Sequence, residues 1–212
     1  KLNLDKLRNT LRTTLIDIWE YVIPIWKISG LFKSIKSKKD LENFIQERSA
    51  HVTQTTLYGY LKTRIGVKYI AMMEDERFLK SINLAKWNIY VVALADCAFY
   101  VFSYLISEKN LKDNDCKEIF LNILENEKKN GLSDEIFDRG KQNFLERIEK
   151  VNFSNHYLND PFKESGQALY YWSPIADELK SLDKKIVLNS IHLKWRLMQD
   201  EFKKLTKDLK FN

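Results

Sequence analysis

The sequence predicts an all-α fold, a single helical domain of about seven helices with one helix buried at its centre and a long amphipathic helix at its C-terminus. Three observations carry that prediction. Glycine and proline are scarce, six and three residues among 212, about 4% of the chain against a usual share of about 12%. Sheets joined by tight turns need glycine at positive φ, whereas helices joined by short polar loops do not. Apolar residues recur at spacings of three and four along most of the chain. A length of 212 residues, 44% of them hydrophobic and 30% charged, suits one well-buried core.

The elements follow in order. Leu4, Leu7, Leu11, Leu15, Ile18 and Val22 line one face of an amphipathic helix. Pro24 ends or kinks it, because proline lacks the donor and clashes with the preceding turn. Residues 25–39 then mix Trp26, Ile28, Leu31, Phe32 and Ile35 with lysines. We therefore divide the chain into an amphipathic, basic N-terminal arm (1–39) and a helical domain (40–212). Asp40 reads as the N-cap of a helix carrying Leu41, Phe44, Ile45, Val52, Leu57 and Leu61. Gly66 breaks that helix, and a short one covers roughly 67–74.

From Trp87 to Ile106 only Asn88, Asp96 and Ser103 are polar, apart from tyrosine hydroxyls, and their spacings of eight and seven place them on one face. Twenty residues reach about 30 Å, enough to cross a membrane. Asp96, however, sits at the midpoint, where a carboxylate costs about 2.5–3.5 kcal/mol. A bundle core is the simpler account, with a membrane span as the alternative. Asp115 and Glu118 have the spacing of a capping box for the next helix, which Asn130-Gly131 closes. Ser133, followed by Asp134 and Glu135, starts another, with Phe137, Phe144, Ile148 and Val151 inward. Asp160-Pro161 and Ser173-Pro174 both read as an N-cap followed by proline. In the last helix Ile191, Trp195, Met198, Phe202, Leu205 and Leu209 form a heptad seam.

Several chemistries are excluded by spacing. Gly30, Gly59, Gly66, Gly131, Gly140 and Gly166 satisfy neither the Gly-x-Ser-x-Gly elbow nor the phosphate-binding loop nor the dinucleotide fingerprint. His51, His156 and His192 lie far apart, and with Cys97 and Cys116 they make no recognisable metal site. No cofactor, metal or catalytic constellation is expected. Asp96 is the one chemically conspicuous residue: a buried carboxylate can be a general base, although a structural Asp bonded to Tyr, Trp or Arg across the bundle is the plainer reading. Aromatic residues cluster at Tyr58 and Tyr60, at Phe99-Tyr100 and at Tyr170-Tyr171-Trp172. Most belong to packing.

Two blocks carry a resemblance. One runs from Phe44-Ile45-Gln46-Glu47-Arg48-Ser49 into Gln54-Thr55-Thr56-Leu57-Tyr58-Gly59-Tyr60-Leu61-Lys62-Thr63-Arg64. The other is Tyr171-Trp172-Ser173-Pro174-Ile175-Ala176-Asp177-Glu178-Leu179, followed by Asn189-Ser190 and Lys194-Trp195-Arg196. Together, across roughly residues 40–205, they resemble a family of uncharacterised alphaproteobacterial helical proteins, some of which bear the label esterase. The resemblance implies a bacterial or mitochondrion-related origin and supplies no catalytic residues. The label has no matching motif here, since the elbow is absent and an α/β-hydrolase needs strands.

Net charge is +6 and two cysteines make no disulfide framework, so reduced thiols and an intracellular setting are expected: bacterial cytoplasm or mitochondrial matrix, peripheral to the inner membrane. The chain begins at Lys1 rather than Met, which leaves open a removed signal or transit peptide. Residues 1–40 hold nine Lys/Arg against four Asp/Glu. Within them Trp19, Trp26, Phe32, Lys33, Lys36, Lys38 and Lys39 combine apolar area with cations, as a contact arm for a partner or an anionic membrane surface would. The leading expectation is a non-catalytic accessory, assembly or structural subunit working through protein contacts. The alternatives are an RNA- or DNA-binding module and a hydrolase-like enzyme with an unrecognised site.

Overall fold

The computed structural model describes residues 34–209. The chain divides into two units, residues 1–34 and 35–212, and the helices described here all belong to the second. Among the described residues these are α1 (Lys38–Ile65), α2 (Tyr69–Met72), α3 (Glu76–Lys109), α4 (Cys116–Lys128), α5 (Asp134–Ile148), α6 (Lys163–Trp172) and α7 (Asp177–Leu205), with two 3-10 turns at Gly66–Lys68 and His156–Leu158. No strand occurs among them. The all-α expectation holds, with six helices of ten residues or more and α2 as a single turn.

α3 is the hub. It packs on α1, α4, α5 and α6, while α7 lies across α6 and α1. From Ile89 to Leu105 nearly every side chain is buried, Asp96 and Ser103 included. By length and composition α3 alone among the described helices could cross a membrane, yet 83% of its most apolar stretch is buried inside the domain. The apolar surface is consumed by neighbouring helices, which is what a central bundle helix requires. Stacked rings fill the layers around it: Phe120 on Phe144 at 3.8 Å, Phe99 on Phe144 at 5.0 Å and Phe162 on Trp195 at 4.2 Å. Such pairs add to the stabilisation from area burial.

α3 and α5 run in the same direction and approach closely at Gly140. A Cβ added there would stand 2.2 Å from Val91 Cγ1, so the missing side chain sets the distance between the two helices.

Helix starts depart from the expectation at four places. α1 is capped by Ser37, whose hydroxyl accepts from the Asp40 amide while Asp40 accepts from the Ser37 amide, a complete capping box with Asp40 as its third residue. Asp115 makes no side-chain cap on α4, and the Asn114 side chain accepts from the Cys116 amide instead. α6 starts at Lys163, after Asp160-Pro161, and α7 starts at Asp177, after Ser173-Pro174. Ser133 caps α5 as expected. Gly66, at φ 63°, ends α1, and Gly131, at φ 104°, follows α4. Both positions favour glycine.

Candidate functional site

The polar residues of α3 anchor its neighbours, Asn88 and Asp96 both holding α5. Asn88 accepts from Arg139 of α5 and donates to the Leu84 carbonyl at 2.8 Å. Asp96 accepts from Arg147, two turns further along α5, and from the Ser165 backbone amide at 2.7 Å. Ser103 donates to the Phe153 carbonyl at 2.8 Å and accepts from the Tyr157 amide at 2.9 Å, which pins the loop after α5.

Asp96 therefore has a defined task. Phe162, at the start of α6, offers no side-chain cap, and a helix start leaves amides without partners. The Asp96 carboxylate supplies an acceptor to one of them from across the bundle, at the positive end of the α6 dipole. Ser165 extends the network: its hydroxyl donates to the Phe162 carbonyl at 2.9 Å and accepts from Trp195 Nε1 at 3.0 Å. Three helices, α3, α5 and α6, thus meet at one buried carboxylate, and α7 joins the network through Ser165. Burial pushes the Asp96 carboxyl above the usual carboxylate range, against the opposing pull of Arg147 and Ser165. Asp96 is fully buried and both of its oxygens are taken. The arrangement suits a strut better than a base, which needs a reacting proton within reach.

Other buried polar groups serve likewise. Arg48 of α1 makes a two-point contact with Glu201 of α7, one arm at 2.6 Å. The hydroxyl of Tyr60 donates to Asp183 at 2.9 Å, and Arg64 pairs with the same carboxylate at 3.1 Å. Glu127 accepts from Tyr90, Gln46 and Asn130. Cys97 and Cys116 are buried free thiols, and burial raises Cys97 to about 12, far from the thiolate that reacts. Among the described residues no group of three or more His, Cys, Asp or Glu could hold a metal ion.

The largest described cleft, about 250 Å³, lies where α5 ends and α6 begins. Arg147, Lys150, Lys163 and His156 share it with Asp160 and Glu164, so cations face carboxylates and no single sign dominates. A smaller cleft of about 110 Å³ lies between α1, α3 and α4, lined by Thr53, Lys86, Trp87, Tyr90 and Glu127.

Of the expected contact arm, Trp19, Trp26, Phe32 and Lys33 lie outside the described residues. Lys36 is exposed. Lys38 reaches Glu118 at 2.7 Å and Asp115 at 3.2 Å, and Lys39 reaches Glu42 at 2.6 Å. The Lys38 pairs are exposed and weak ties, whereas Glu42 is buried; together they direct two of the lysines onto carboxylates of their own domain.

The heptad seam of the last helix points inward. Ile191, Trp195, Met198 and Phe202 are buried where α7 packs on α1 and α6, and the Phe202 ring also meets Tyr100 and Tyr104 of α3. The opposite face carries what periodicity reading missed. Leu179, Leu182, Ile186, Leu193 and Leu197 are all exposed, the last four by 56–74%. At 100° per residue those four fall within an arc of about 60°, so they form a straight aliphatic stripe down the outside of α7. Their heptad-like spacing is in the sequence, in a second register beside the inward seam.

No family model matches this chain, and neither a curated protein nor a solved structure is found that matches it.

Proposed function

We propose that this domain is a non-catalytic helical accessory or assembly subunit that works by presenting the outer face of α7 to another protein surface. One observation carries the reading: the aligned row Leu182, Ile186, Leu193 and Leu197, interrupted only by the polar pair Asn189-Ser190 and left in water on a helix whose other face packs into the core. Isolated exposed leucines need no explanation, whereas a contiguous row of aliphatic side chains marks a contact site. The shape also fits. A straight row one helix wide complements another helix, as in helix-in-groove and coiled-coil recognition. The conspicuous polar groups support the same reading, because Asp96, Arg48, Tyr60 and Glu127 are already spent on holding helices together.

The test is a variant carrying Leu182→Glu and Leu193→Glu, expressed in the native cell. We expect its sedimentation in a gentle lysate to fall to that of the lone chain, while the purified variant unfolds at the same denaturant concentration as the parent. An unchanged complex size in the lysate would overturn the proposal.

A further inference from the structure

The order of residues along the stripe identifies what covers it. From Leu182 the exposed aliphatic positions step by four to Ile186, by seven to Leu193 and by four to Leu197. These four positions read the same in both directions, about a midpoint between Asn189 and Ser190, both exposed; Leu179, exposed in the same arc, has Asp200 at its mirrored position and so marks the end of the symmetric stretch. A two-fold contact uses the same patch on both partners, so each residue must find a complement at the mirrored position. Antiparallel pairing of α7 with α7 satisfies that condition: Leu182 meets Leu197, Ile186 meets Leu193, and the polar pair Asn189-Ser190 meets itself on the axis. A single polar layer inside an apolar helix seam is the device by which paired helices fix their register. A one-sided partner would place no such demand on the spacing.

We infer that the partner of this face is a second copy of the same chain, joined by an antiparallel α7–α7 contact with its two-fold axis at Asn189-Ser190. The inference rests on the reading of α7's outer face as a contact surface. Magnitudes define the kind of dimer. The stripe from Leu182 to Leu197 is about 22 Å long and one helix wide, which places the contact at the small end of specific interfaces. The dimer is therefore concentration-dependent. Each copy carries a formal charge of +6, and Lys185 and Arg196 flank the stripe on the same edge. Added salt screens that repulsion and tightens the pair, opposite to the response of a protein bound to phosphates.

Cysteine cross-linking of the full-length chain under mild oxidation tests the geometry, because a disulfide forms only with Cα atoms about 4.4–6.8 Å apart. Cys97 and Cys116 are buried, so introduced thiols supply the reactive pairs. Ser190→Cys, next to the axis, is expected to give a covalent dimer. Leu182→Cys alone is expected to give none, since its copies stand about 22 Å apart along the helix, whereas Leu182→Cys mixed with Leu197→Cys gives a mixed dimer. Sedimentation of the unmodified chain, from roughly micromolar to hundreds of micromolar, should show dimer growing with concentration and with salt. Self-linking by Leu182→Cys would mean a parallel pair and overturn the proposed geometry. A chain that stays monomeric throughout and forms no Ser190→Cys dimer overturns the second-copy inference altogether. If Leu182→Glu with Leu193→Glu still shrinks the complex in lysate, the contact-surface reading survives that result and the partner is a different protein.

Discussion

At Asp96 burial and pairing oppose each other. Desolvation disfavours the carboxylate, while Arg147 and the Ser165 amide favour it, and burial prevails. The two partners of the ion pair are not equivalent, because the Arg147 side chain keeps some contact with solvent and Asp96 has none. Arg147→Met therefore strands a buried carboxylate and should cost about 3–5 kcal/mol at neutral pH. Asp96→Asn lets Arg147 turn towards water and keeps an acceptor for Ser165, so about 1–3 kcal/mol is expected. Urea unfolding midpoints measure both, and the opposite ranking would contradict the strut assignment. The pH response has a definite sign. A carboxyl whose folded-state value is raised contributes stability that is fully present below the unfolded carboxylate range and is lost as pH rises through the folded value. The deficit of Arg147→Met should accordingly shrink as pH falls from neutral. His51 and His156 act the other way. Burial lowers both below 6.5, helped at His51 by Lys194 and Arg48 and at His156 by Arg147. Each contributes stability that is present above the ordinary imidazole range and lost as pH falls through its own lower value. His51→Gln with His156→Gln should flatten the loss of stability below about pH 6.5.

The approach of α3 to α5 rests on Gly140, and Gly140→Ala tests it. Alanine favours a helix by up to about 1 kcal/mol over glycine, but here its methyl runs into the buried Val91 side chain, which must shift. Overpacking of this kind costs about 1–3 kcal/mol. Gly140→Ala should thus lower the unfolding midpoint, and adding Val91→Ala should restore part of the loss. A gain in stability from Gly140→Ala alone would show that the helices can part. At this scale much was legible in the sequence. The periodicity of α3, the Gly66 break, the Ser133 cap and the Asn130-Gly131 stop are local signals, and each appears where expected. Where the expectation failed at α1 and α4, a near neighbour, Ser37 or Asn114, had taken the cap; at α6 a distant group had. α6 needs no cap from Asp160 because Asp96 serves it from α3. Ser173 does not cap α7 because it closes α6 instead, its hydroxyl donating to the Leu169 carbonyl at 2.6 Å, and α7 begins four residues later at Asp177. Asp115 and Glu118 are drawn to Lys38 of α1. No spacing rule within one helix reveals such exchanges. Asp96 was identifiable as an unusual residue, but its partners lie 51 and 69 positions away.

Over the whole molecule, α7 has two apolar faces and the sequence pattern displays both. The heavier residues, Trp195, Met198 and Phe202 among them, face inward and build the core. The lighter row, four aliphatics at palindromic spacing, faces water. Only the packing of α7 on α1 and α6 shows which is which, so the candidate site was written in the sequence yet could not be assigned from it. The central claim is that the outer row serves contact and contributes nothing to the fold. Photo-cross-linking from a benzophenone side chain at position 186, in the native cell, tests this most directly. The account predicts a strong protein adduct at position 186, abolished by Leu182→Glu with Leu193→Glu, and an adduct mass of twice the chain where the partner is a second copy. Absence of any adduct from position 186, in a protein that remains folded, would contradict the claim.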